Sequence, residues 1–487
     1  MTFSIRPQDK TLLKEVHCFA VSQRIELYIV GGYLRDSVLK RQKDNPDIDF
    51  CLARQSIKFG RRLAAKIKAG FVALDDERGC CRLIKRINNK TYTLDFADFR
   101  AGTLKHDLLH RDFTINCLAV GLEEAINNED FSRSVIDPAC GMQDLQKKTI
   151  RAINSKSFDE DPLRILRAFS LSCIFGFKID KQTLRMIKAK KNKLTVVSQE
   201  RIRDELFKIL ARPDSFACLQ EMDKPGVLRL VMPEIEVMRG VNQGPYHHLD
   251  VFKHSMETLR QLEIIIKEYA DDRDVQADLN TVISGDRLRQ SLLKLGAFLH
   301  DIGKPEVKRR KEGKMIFHGH ERSGAEITKI IAKRLKLSNE ELDALRKMVF
   351  WHLRPGYMGD SKALTARAKF RYFRDAGKEG ASVLLLSLAD QRSTRGPLTT
   401  RASRLRHEKV VSGLIKEYFR RQKEKKVARL VNGNDLMKKF KLKPSPLVGK
   451  ILSGLEELQA TAKIRTKAQA FEAAKKIIKG GTEKCKR

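Results

Sequence analysis

Two carboxylates separated by one residue follow a pair of glycines within the first fifty residues, and this combination could hold metal ions beside a phosphate. Gly31 and Gly32 come directly after one apolar run, and Asp47 and Asp49 flank Ile48 in the next. Because side chains alternate along a strand, the two carboxylates point to the same face. Such a face suits a pair of Mg²⁺ ions that activates a hydroxyl group against a triphosphate.

The surrounding pattern predicts the elements that position these residues. The apolar run 27–30 predicts a strand, the glycines a tight turn, and residues 33–40 a helix whose first amide groups favour phosphate. A small α/β domain is completed by a predicted helix at 56–68 and by strands at 48–52, 71–74, 81–87 and 92–96. After about residue 150, apolar spacings of three and four predict almost only helices.

The strongly basic composition narrows the partners. Among 487 residues, 97 Lys and Arg stand against 61 Asp and Glu, and the net charge of +36 predicts binding to RNA or DNA. No apolar run approaches the roughly 20 residues that span a bilayer, so we expect no membrane contact and a cytoplasmic location. The nine cysteines lack Cys-x-x-Cys spacing, which favours reduced thiols over disulfides or a zinc site. No obligatory protein partner is evident.

The glycine turn and the Asp-x-Asp strand, in this order and separation, resemble the nucleotidyltransferase superfamily, and in particular its bacterial poly(A) polymerase and tRNA CCA-adding branch. The block at 110–117 resembles this family's Arg-Arg-Asp-Phe-Thr-Ile-Asn-Ala motif, with His110 in place of the first arginine. The resemblance implies that the ribose and phosphates of CTP or ATP are held by Arg111, Asp112 and Asn116. Arg35, which opens the helix after the glycines, can neutralise charge on the leaving group.

A third carboxylate and a base-reading pair complete this predicted site. Asp95 is expected on a neighbouring strand, where it completes the metal site or accepts the proton of the attacking 3′-hydroxyl; the alternative is an ordinary edge-strand carboxylate. Asp161 and Arg164 are three positions apart and are expected on one helix face. The family's Glu-Asp-x-x-Arg motif implies that this pair selects C and A without a nucleic acid template. The alternative is an intrahelical ion pair.

One departure from the family concerns the connection between Arg100 and Arg111. The family has a flexible loop here, whereas this chain has ten residues, and those at 103–109 resemble the helix that leads into the ribose motif. Members that add only the two cytidines characteristically lack the loop, which is needed for switching to ATP. The resemblance therefore leaves both full CCA addition and CC addition open.

Histidines and acids in the second half follow an order that resembles the HD phosphohydrolase superfamily. Imidazole and carboxylate together suit a divalent metal (Mg²⁺, Mn²⁺ or Ni²⁺), and water can then attack a phosphate. The resemblance implies these primary ligands: His254, His300, Asp301 and Asp390. His320 and His352 are candidates for a second metal or a phosphate. The implied substrates are phosphomonoesters or 2′,3′-cyclic phosphates of RNA ends; the alternative is a metal site that only stabilises the fold.

Together these observations predict an α/β nucleotidyltransferase head (palm) followed by largely α-helical neck, HD and tail domains. The expected ranges are 1–150 for the head, 151–240 for the neck, 241–400 for the HD domain and 401–487 for the basic tail. The expected reaction is the Mg²⁺-dependent transfer of CMP, or of CMP and AMP, from CTP and ATP to tRNA with release of pyrophosphate. The alternatives are a poly(A) polymerase, an RNA-end phosphohydrolase and a plain basic RNA-binding protein.

Overall fold

The structure is a computed structural model that describes residues 3–41, 44–360, 364–424 and 428–484. The extreme ends of the predicted head and tail, 1–2 and 485–487, lie outside the described residues. The chain forms two compact units. The first comprises Met1–Arg212 and Ala217–Val231, and the second comprises Pro213–Phe216 and Met232–Arg487.

The first unit contains a mixed six-stranded sheet with the order β3-β4-β5-β2-β1-β6. β2 and β5 run parallel, and every other neighbouring pair is antiparallel. Phe50 and Phe96 stack across this central pair with ring centroids 4.8 Å apart. The strands are β1 (Tyr28–Val30), β2 (Asp47–Leu52), β3 (Gly70–Asp75), β4 (Cys80–Ile87), β5 (Lys90–Asp98) and β6 (Ala119–Gly121).

Six helices accompany this sheet, and the amphipathic pattern explains how they pack. Phe59, Leu63 and Ile67 recur at helical spacing on α3 and are buried, with α3 in contact with β3, β4 and β5. The helices are α1 (Pro7–Ser22), α2 (Gly32–Val38), α3 (Ser56–Ile67), α4 (Leu104–Leu109), α5 (Leu122–Asn127) and α6 (Gly141–Gln146). The predicted α/β head is therefore confirmed, with element ends shifted by a few residues.

The rest of the first unit is nearly all helical. Its strands are only a short parallel pair, β7 (Thr149–Ile150) and β8 (Lys178–Ile179). Gly176, at a φ of 68°, ends α8 in the left-handed conformation that glycine tolerates best. The helices are α7 (Ser157–Glu160), α8 (Arg164–Phe175), α9 (Lys181–Lys190), α10 (Gln199–Leu210), α11 (Ser215–Asp223), whose first two residues belong to the second unit, and α12 (Leu228–Val231).

The second unit is a helical assembly with two small hairpins. The long helices α13 and α21 pack against each other and against α15, which brings distant segments of the chain together. The hairpins are β9 (Val282–Ser284) with β10 (Arg287–Leu288), and β11 (Arg309–Lys311) with β12 (Lys314–Ile316). The helices are α13 (Val251–Glu268), α14 (Arg273–Leu279), α15 (Arg289–Leu299), α16 (Lys304–Val307), α17 (His320–Arg334), α18 (Asn339–Trp351), α19 (Arg354–Asp360), α20 (Ala366–Ala376), α21 (Gly380–Ser393) and α22 (Arg401–Lys423).

Helix α22, which opens the predicted tail range, packs against α19 and α21, and three more helices form an apolar core of their own. They are α23 (Gly433–Phe440), α24 (Pro446–Ala460) and α25 (Lys467–Lys484). Leu436, Ile451 and Leu455 lie in this core. Arg371 of α20 donates to Glu457 of α24 over 2.7 Å, so the tail is anchored to the rest of the second unit. Within the described part of the chain, none of the helices has the length and apolar character needed to cross a membrane.

Candidate active sites

The turn after β1 requires glycine because an arginine and a carboxylate approach its backbone. Gly31 has a φ of 70°, in the left-handed region that favours glycine. A Cβ atom at this position would lie 2.9 Å from Arg111 Nη1 and 3.5 Å from Asp49 Oδ2. The turn therefore leaves room for Arg111 and Asp49 to meet beside the backbone.

Three carboxylates lie on the two parallel strands at the centre of the sheet. Asp49 of β2 is directly beside Asp95 of β5 in the strand register, and Asp47 precedes them on the same face. Burial raises the pKa of Asp49, the charge of Arg111 opposes that rise, and the charges of Asp95 and Asp47 add to it. A divalent cation would offset this concentrated negative charge, and carboxylate oxygens are the donors that Mg²⁺ prefers. The residues present therefore fit a Mg²⁺ site.

Asp95 is also held by an arginine that the sequence analysis missed. Arg82 donates from Nε to Asp95 Oδ1 over 2.8 Å and from Nη2 to Oδ2 over 2.7 Å. The partners face each other because Arg82 of β4 is opposite Asp95 in the antiparallel register. The edge-strand alternative does not hold, because β5 lies between β4 and β2. This bidentate pair fixes the orientation of the third carboxylate next to Asp49.

The ribose motif forms a continuous hydrogen-bonded chain. Asp112 Oδ1 accepts from the amide of Phe113 and from Asn116 Nδ2, both over 2.9 Å. Its Oδ2 accepts from Arg167 Nε and Nη2 over 3.0 and 2.8 Å. Burial alone would raise the pKa of Asp112, but the charge of Arg167 and these hydrogen bonds lower it to about 2. Arg35 completes the chain by donating to Asn116 Oδ1 over 2.5 Å.

Arg167 is a second residue that the sequence analysis missed. Its signal is the spacing of three from Arg164, which makes an Arg-x-x-Arg pair at the start of α8. Its charge is balanced by Asp112 and, at 3.6 Å, by Glu205 of α10. Arg167 therefore links the helical part of the first unit to the ribose motif.

The predicted base-reading pair is arranged differently from the expectation of one helix face. Helix α8 begins at Arg164, whereas Asp161 is in an extended conformation, which the following Pro162 favours. Asp161 Oδ2 accepts from Arg201 Nη2 over 2.7 Å. Asp161 and Arg164 thus make no intrahelical ion pair, and Asp161 pairs with an arginine from α10.

Arg164 is buried and occupied by nearby acceptors. It donates to the carbonyl oxygens of His110 and Ser157 over 2.7 and 3.1 Å, and to Glu160 over 3.1 Å. These bonds satisfy the guanidinium group and connect α8 to His110, the first residue of the ribose motif.

All the predicted head residues except Asp95 line one cavity of about 1820 Å³, which lies entirely within the first unit. Arginines dominate the rest of its wall, including Arg54, Arg78, Arg100 and Arg201. A cavity with carboxylates at one wall and many guanidinium groups around them can hold a nucleoside triphosphate together with a metal ion.

The connection between the third-carboxylate strand and the ribose motif is short. β5 ends at Asp98 and α4 begins at Leu104, so only residues 99–103 connect them. Thr103 caps α4 by accepting from the amide of His106 over 3.3 Å. The amide of Arg100 donates to Asp107 Oδ1 over 3.1 Å, which fastens the connection to the helix. The predicted shortness of this connection is therefore confirmed.

The six predicted residues of the second constellation converge from five helices. Helix α13 carries His254, helix α21 carries Asp390, and the others lie at or just beyond the ends of α15, α17 and α18. Asp301 lies in the middle of the group: its Oδ2 is 3.2 Å from His300 Nε2, and its Oδ1 is 3.2 Å from His320 Nε2. The group is closed by His254 Nε2, which is 3.0 Å from Asp390 Oδ1.

Hydrogen bonds at Nδ1 of two histidine rings leave the lone pairs of their Nε2 atoms able to bind a cation. Nδ1 of His320 and of His352 lie 2.8 and 2.6 Å from backbone carbonyl oxygens, so each Nδ1 must donate. The two Nε2 atoms, only 3.3 Å apart, therefore carry facing lone pairs when both rings are neutral. Asp301 Oδ1 is buried and has no hydrogen-bond partner among the described residues. The donor set fits a divalent metal ion.

The buried carboxylates of this cluster are balanced by positively charged neighbours. Burial alone would lower the pKa of His300, but the carboxylates of Asp301 and Asp390 raise it to about 10. Lys304, which the sequence analysis did not assign, donates from Nζ to Asp301 Oδ2 over 2.5 Å and to Gln243 over 2.6 Å. The sequence feature that could have indicated Lys304 is its position three residues after Asp301. The two oxygens of Asp301 face different pairs of histidines, so Asp301 belongs to two of the possible metal-binding groups.

Comparison with protein-family models gives four matches along the chain. The "Poly A polymerase head domain" matches residues 27–151, and the "HD domain" matches residues 251–395. Between them, residues 176–238 match the "Probable RNA and SrmB- binding site of polymerase A". Residues 407–474 match a "tRNA nucleotidyltransferase domain 2".

Alignments with similar proteins cover almost the whole chain. The A-adding tRNA nucleotidyltransferase of Deinococcus radiodurans is 31% identical over 453 residues, covering 91% of this chain and 93% of that protein. The CC-adding tRNA nucleotidyltransferase of Geobacter sulfurreducens is 29% identical over 445 residues, covering 91% and 90%. The structure of a Thermotoga maritima CCA-adding enzyme complexed with tRNA has a similar fold, with a TM-score of 0.60 at 20% identity, over 98% of this chain and 96% of that one.

Proposed function

The chain belongs to the tRNA nucleotidyltransferase family, and from that premise we propose that its head adds nucleotides to the 3′ end of tRNA and releases pyrophosphate. The observation that carries this proposal is the placement of Asp47 and Asp49 beside Arg111 in an arginine-lined cavity. A tRNA substrate implies a cytoplasmic location.

Different residues of the cavity have different proposed roles in the reaction. Asp47 and Asp49 would hold Mg²⁺, which supplies activation of the primer 3′-hydroxyl and neutralisation of the triphosphate. Arg111 lines the cavity with its side chain 20% exposed, and its guanidinium group can contact a phosphate oxygen there. Asp112 uses both oxygens within the protein, so it acts by orienting Asn116 rather than by contacting the nucleotide.

We further propose that the nucleotide base is recognised by Asp161 together with Arg201. Arg164, the arginine expected for this role, is buried and donates to protein oxygens. Arg201 is half exposed and has its guanidinium group 2.7 Å from Asp161. An acid that accepts and an arginine that donates can match the edges of cytosine and adenine.

The short connection 99–103 supports a narrower proposal, the addition of CMP alone. In this family the missing loop is needed for switching to ATP. Relatives of both kinds, A-adding and CC-adding, are similar to this chain, so the connection is the observation that favours one of them.

The test is incorporation of labelled CTP or ATP by the purified protein on tRNA transcripts that end before the CCA or after CC. Two cytidines followed by a stall would support CC addition. Addition of A to the CC transcript would overturn CC addition but keep the main proposal. No incorporation on either transcript, or long A tails on unrelated RNA, would overturn the main proposal.

A second activity is favoured by the buried histidine cluster. We propose that the HD domain is a phosphohydrolase in which His254, His300, Asp301 and Asp390 hold a divalent metal and in which His320 and His352 complete a second position. Opening of a 2′,3′-cyclic nucleotide to the nucleoside 2′- or 3′-monophosphate with Mg²⁺, Mn²⁺ or Ni²⁺ tests it. Hydrolysis that persists unchanged in the Asp301→Asn variant would exclude this site as its origin.

A further inference from the structure

A two-stranded hairpin next to the HD cluster carries an unusual concentration of uncompensated positive charge. We call residues 308–316, which contain β11 and β12, the basic hairpin. Its exposed cations are Lys308, Arg309, Arg310, Lys311 and Lys314, against a single acid, Glu312. None of the five forms an ion pair with any residue that the structure describes, so their charge is directed to solvent or to a ligand.

Both ends of the basic hairpin are tied to the HD cluster. Before it, α16 begins with Lys304, whose Nζ is 2.5 Å from Asp301 Oδ2. After it, the carbonyl oxygen of Phe317 accepts from His320 Nδ1 over 2.8 Å. The hairpin therefore lies within a few residues of metal-ligand candidates on either side, and its position is fixed relative to them.

Two exposed tyrosines lie in neighbouring segments. Tyr246 is 57% exposed and belongs to a loop that reaches both the hairpin and the cluster. In that loop, a Cβ at Gly244 would lie 3.8 Å from the Cβ of Met315, and the ring of His247 is 4.7 Å from that of His254. The carbonyl oxygen of Tyr246 accepts from the amide of Gly396 over 2.8 Å, which fixes the loop.

The second tyrosine is Tyr357 on α19, which is 69% exposed. Helix α19 begins two residues after His352, so Tyr357 lies within five residues of a member of the cluster. Exposed aromatic rings among unpaired cations are the usual composition of a surface that binds single-stranded nucleic acid, because rings stack on bases while cations contact phosphates.

We propose that the basic hairpin, Tyr246 and Tyr357 bind a single-stranded RNA end and deliver its terminal phosphate to the HD cluster. This inference rests on the proposed phosphohydrolase function and names its substrate as a polynucleotide end rather than a free mononucleotide. For a 2′,3′-cyclic end, the oxygen of water bonds to phosphorus, the bond to one ribose oxygen breaks, and that oxygen takes the proton. No electron acceptor or further reactant is needed.

The experiment compares two substrates that end in the same cyclic phosphate, a mononucleotide and a single-stranded oligonucleotide of about eight residues, which is within the usual site size of such surfaces. The test variant is R309Q/R310Q/K311Q. The matched control is R406Q/K409Q/K416Q, which removes three exposed cations from α22. All proteins are used as full chains.

We expect the wild type to prefer the oligonucleotide and the hairpin variant to lose about 10-fold or more of kcat/KM on it, with the mononucleotide unchanged. The slope of log kcat/KM against log salt for the oligonucleotide should become shallower by about 2, since each lost phosphate contact removes about 0.7. The control variant should match the wild type. Equal losses on both substrates, or equal behaviour of the hairpin and control variants, would overturn the proposal.

A second readout separates this inference from the phosphohydrolase function. An oligonucleotide with 4-thiouridine as its last residue is cross-linked to the full chain in EDTA, and the cross-linked peptides are identified by mass spectrometry. Cross-links within 242–250 or 308–320 that disappear in the hairpin variant would support the binding surface, even if neither substrate is hydrolysed. Failure of hydrolysis with such cross-links rejects only the catalytic proposal; the absence of these cross-links rejects the surface.

Discussion

The head cavity and the HD cluster, both proposed here to act on phosphates with a metal ion, are built in opposite ways. In the head, Asp47 and Asp49 of β2 face a cavity of about 1820 Å³ whose wall is rich in arginine. In the HD domain, His254 and His300 are 0% exposed, Asp301 and His352 are 1% exposed, and their polar atoms already lie 3–4 Å apart. The head has space for a large anionic substrate, whereas the polar groups of the HD cluster are buried against one another.

The groups of the two sites are held in position by different kinds of interaction. The head positions its groups through the sheet and through ion pairs such as Asp112 with Arg167, and the ligand itself must fill the cavity. The HD cluster positions its groups through helix ends and backbone carbonyl oxygens, and a bound metal would be held by side chains that are already buried. Substitutions should therefore change binding of large substrates in the head and metal content in the HD domain.

The largest effect is expected from Asp301→Asn. The change removes the carboxylate charge that both histidine pairs share and leaves the buried Lys304 ammonium without its counter-charge. Metal content measured by mass spectrometry should fall, and phosphohydrolase activity should decrease by about 1000-fold. Nucleotide addition should remain within about twofold, because a packing effect confined to the HD domain leaves the head unaffected. The exposed Asp214→Asn variant is the matched control. A normal metal content in Asp301→Asn would contradict the assignment.

The next effect is expected from Arg167→Met. It leaves the buried carboxylate of Asp112 without its bidentate partner, and breaking such a pair costs about 3 kcal/mol. The free energy of unfolding should fall by that amount, and kcat/KM for CTP should decrease by about 10- to 100-fold because Asn116 loses its orientation. Arg185→Met, on the exposed face of α9, serves as control. Unchanged CTP kinetics would show that the hydrogen-bonded chain does not orient the nucleotide.

A loss of stability in acid, intermediate in size, is expected from Asp112 in the head. The pKa of Asp112 is lowered from 3.8 to about 2 in the folded protein, so the folded state favours the ionised carboxylate. The stabilisation is fully present above the unfolded pKa near 4 and is lost as the pH falls towards 2; it amounts to about 2 kcal/mol. Denaturant unfolding of the wild type and Asp112→Asn between pH 2 and 6 measures it. The gap between them should narrow on acidification, and a constant gap would contradict the prediction.

The smallest effect is expected from Arg201→Gln. The pair with Asp161 is partly exposed, and exposed pairs contribute little to stability. Stability should therefore stay within about 0.5 kcal/mol. KM for CTP should nevertheless rise by about three- to tenfold, the range expected for one lost hydrogen bond to a base. Arg203→Gln on the same helix is the control. An unchanged KM would show that Arg201 does not contact the base, and Arg164 would then be the candidate for base recognition.

Some features of the two sites could be predicted from the sequence, and others could not. The two-residue period of a strand was enough to place Asp47 and Asp49 on one face, and the alternation of elements was enough for the α/β head. The pairing of Arg82 with Asp95 depends on the register of β4 and β5, which no local pattern encodes. Their proposed catalytic roles stay predictions.

Elsewhere, the limits came from helix boundaries and from contacts between distant segments. The expectation of one helix face for Asp161 and Arg164 was wrong, because the residue before Pro162 is extended and α8 starts only at Arg164. In the HD domain, the order of histidines and acids predicted the cluster. The contact of Lys304 with Gln243 joins residues 61 positions apart and could not be predicted from spacing.

The central claim is that one chain holds two independent phosphate-processing sites, with nucleotide addition in the head. It is tested most directly by pyrophosphate release from CTP in the presence of a tRNA transcript that lacks the CCA end, measured for the wild type, Asp49→Asn and Asp301→Asn. We predict that Asp49→Asn abolishes the release and that Asp301→Asn retains the wild-type rate. Release that survives in Asp49→Asn, or that disappears in a folded Asp301→Asn, would contradict the claim.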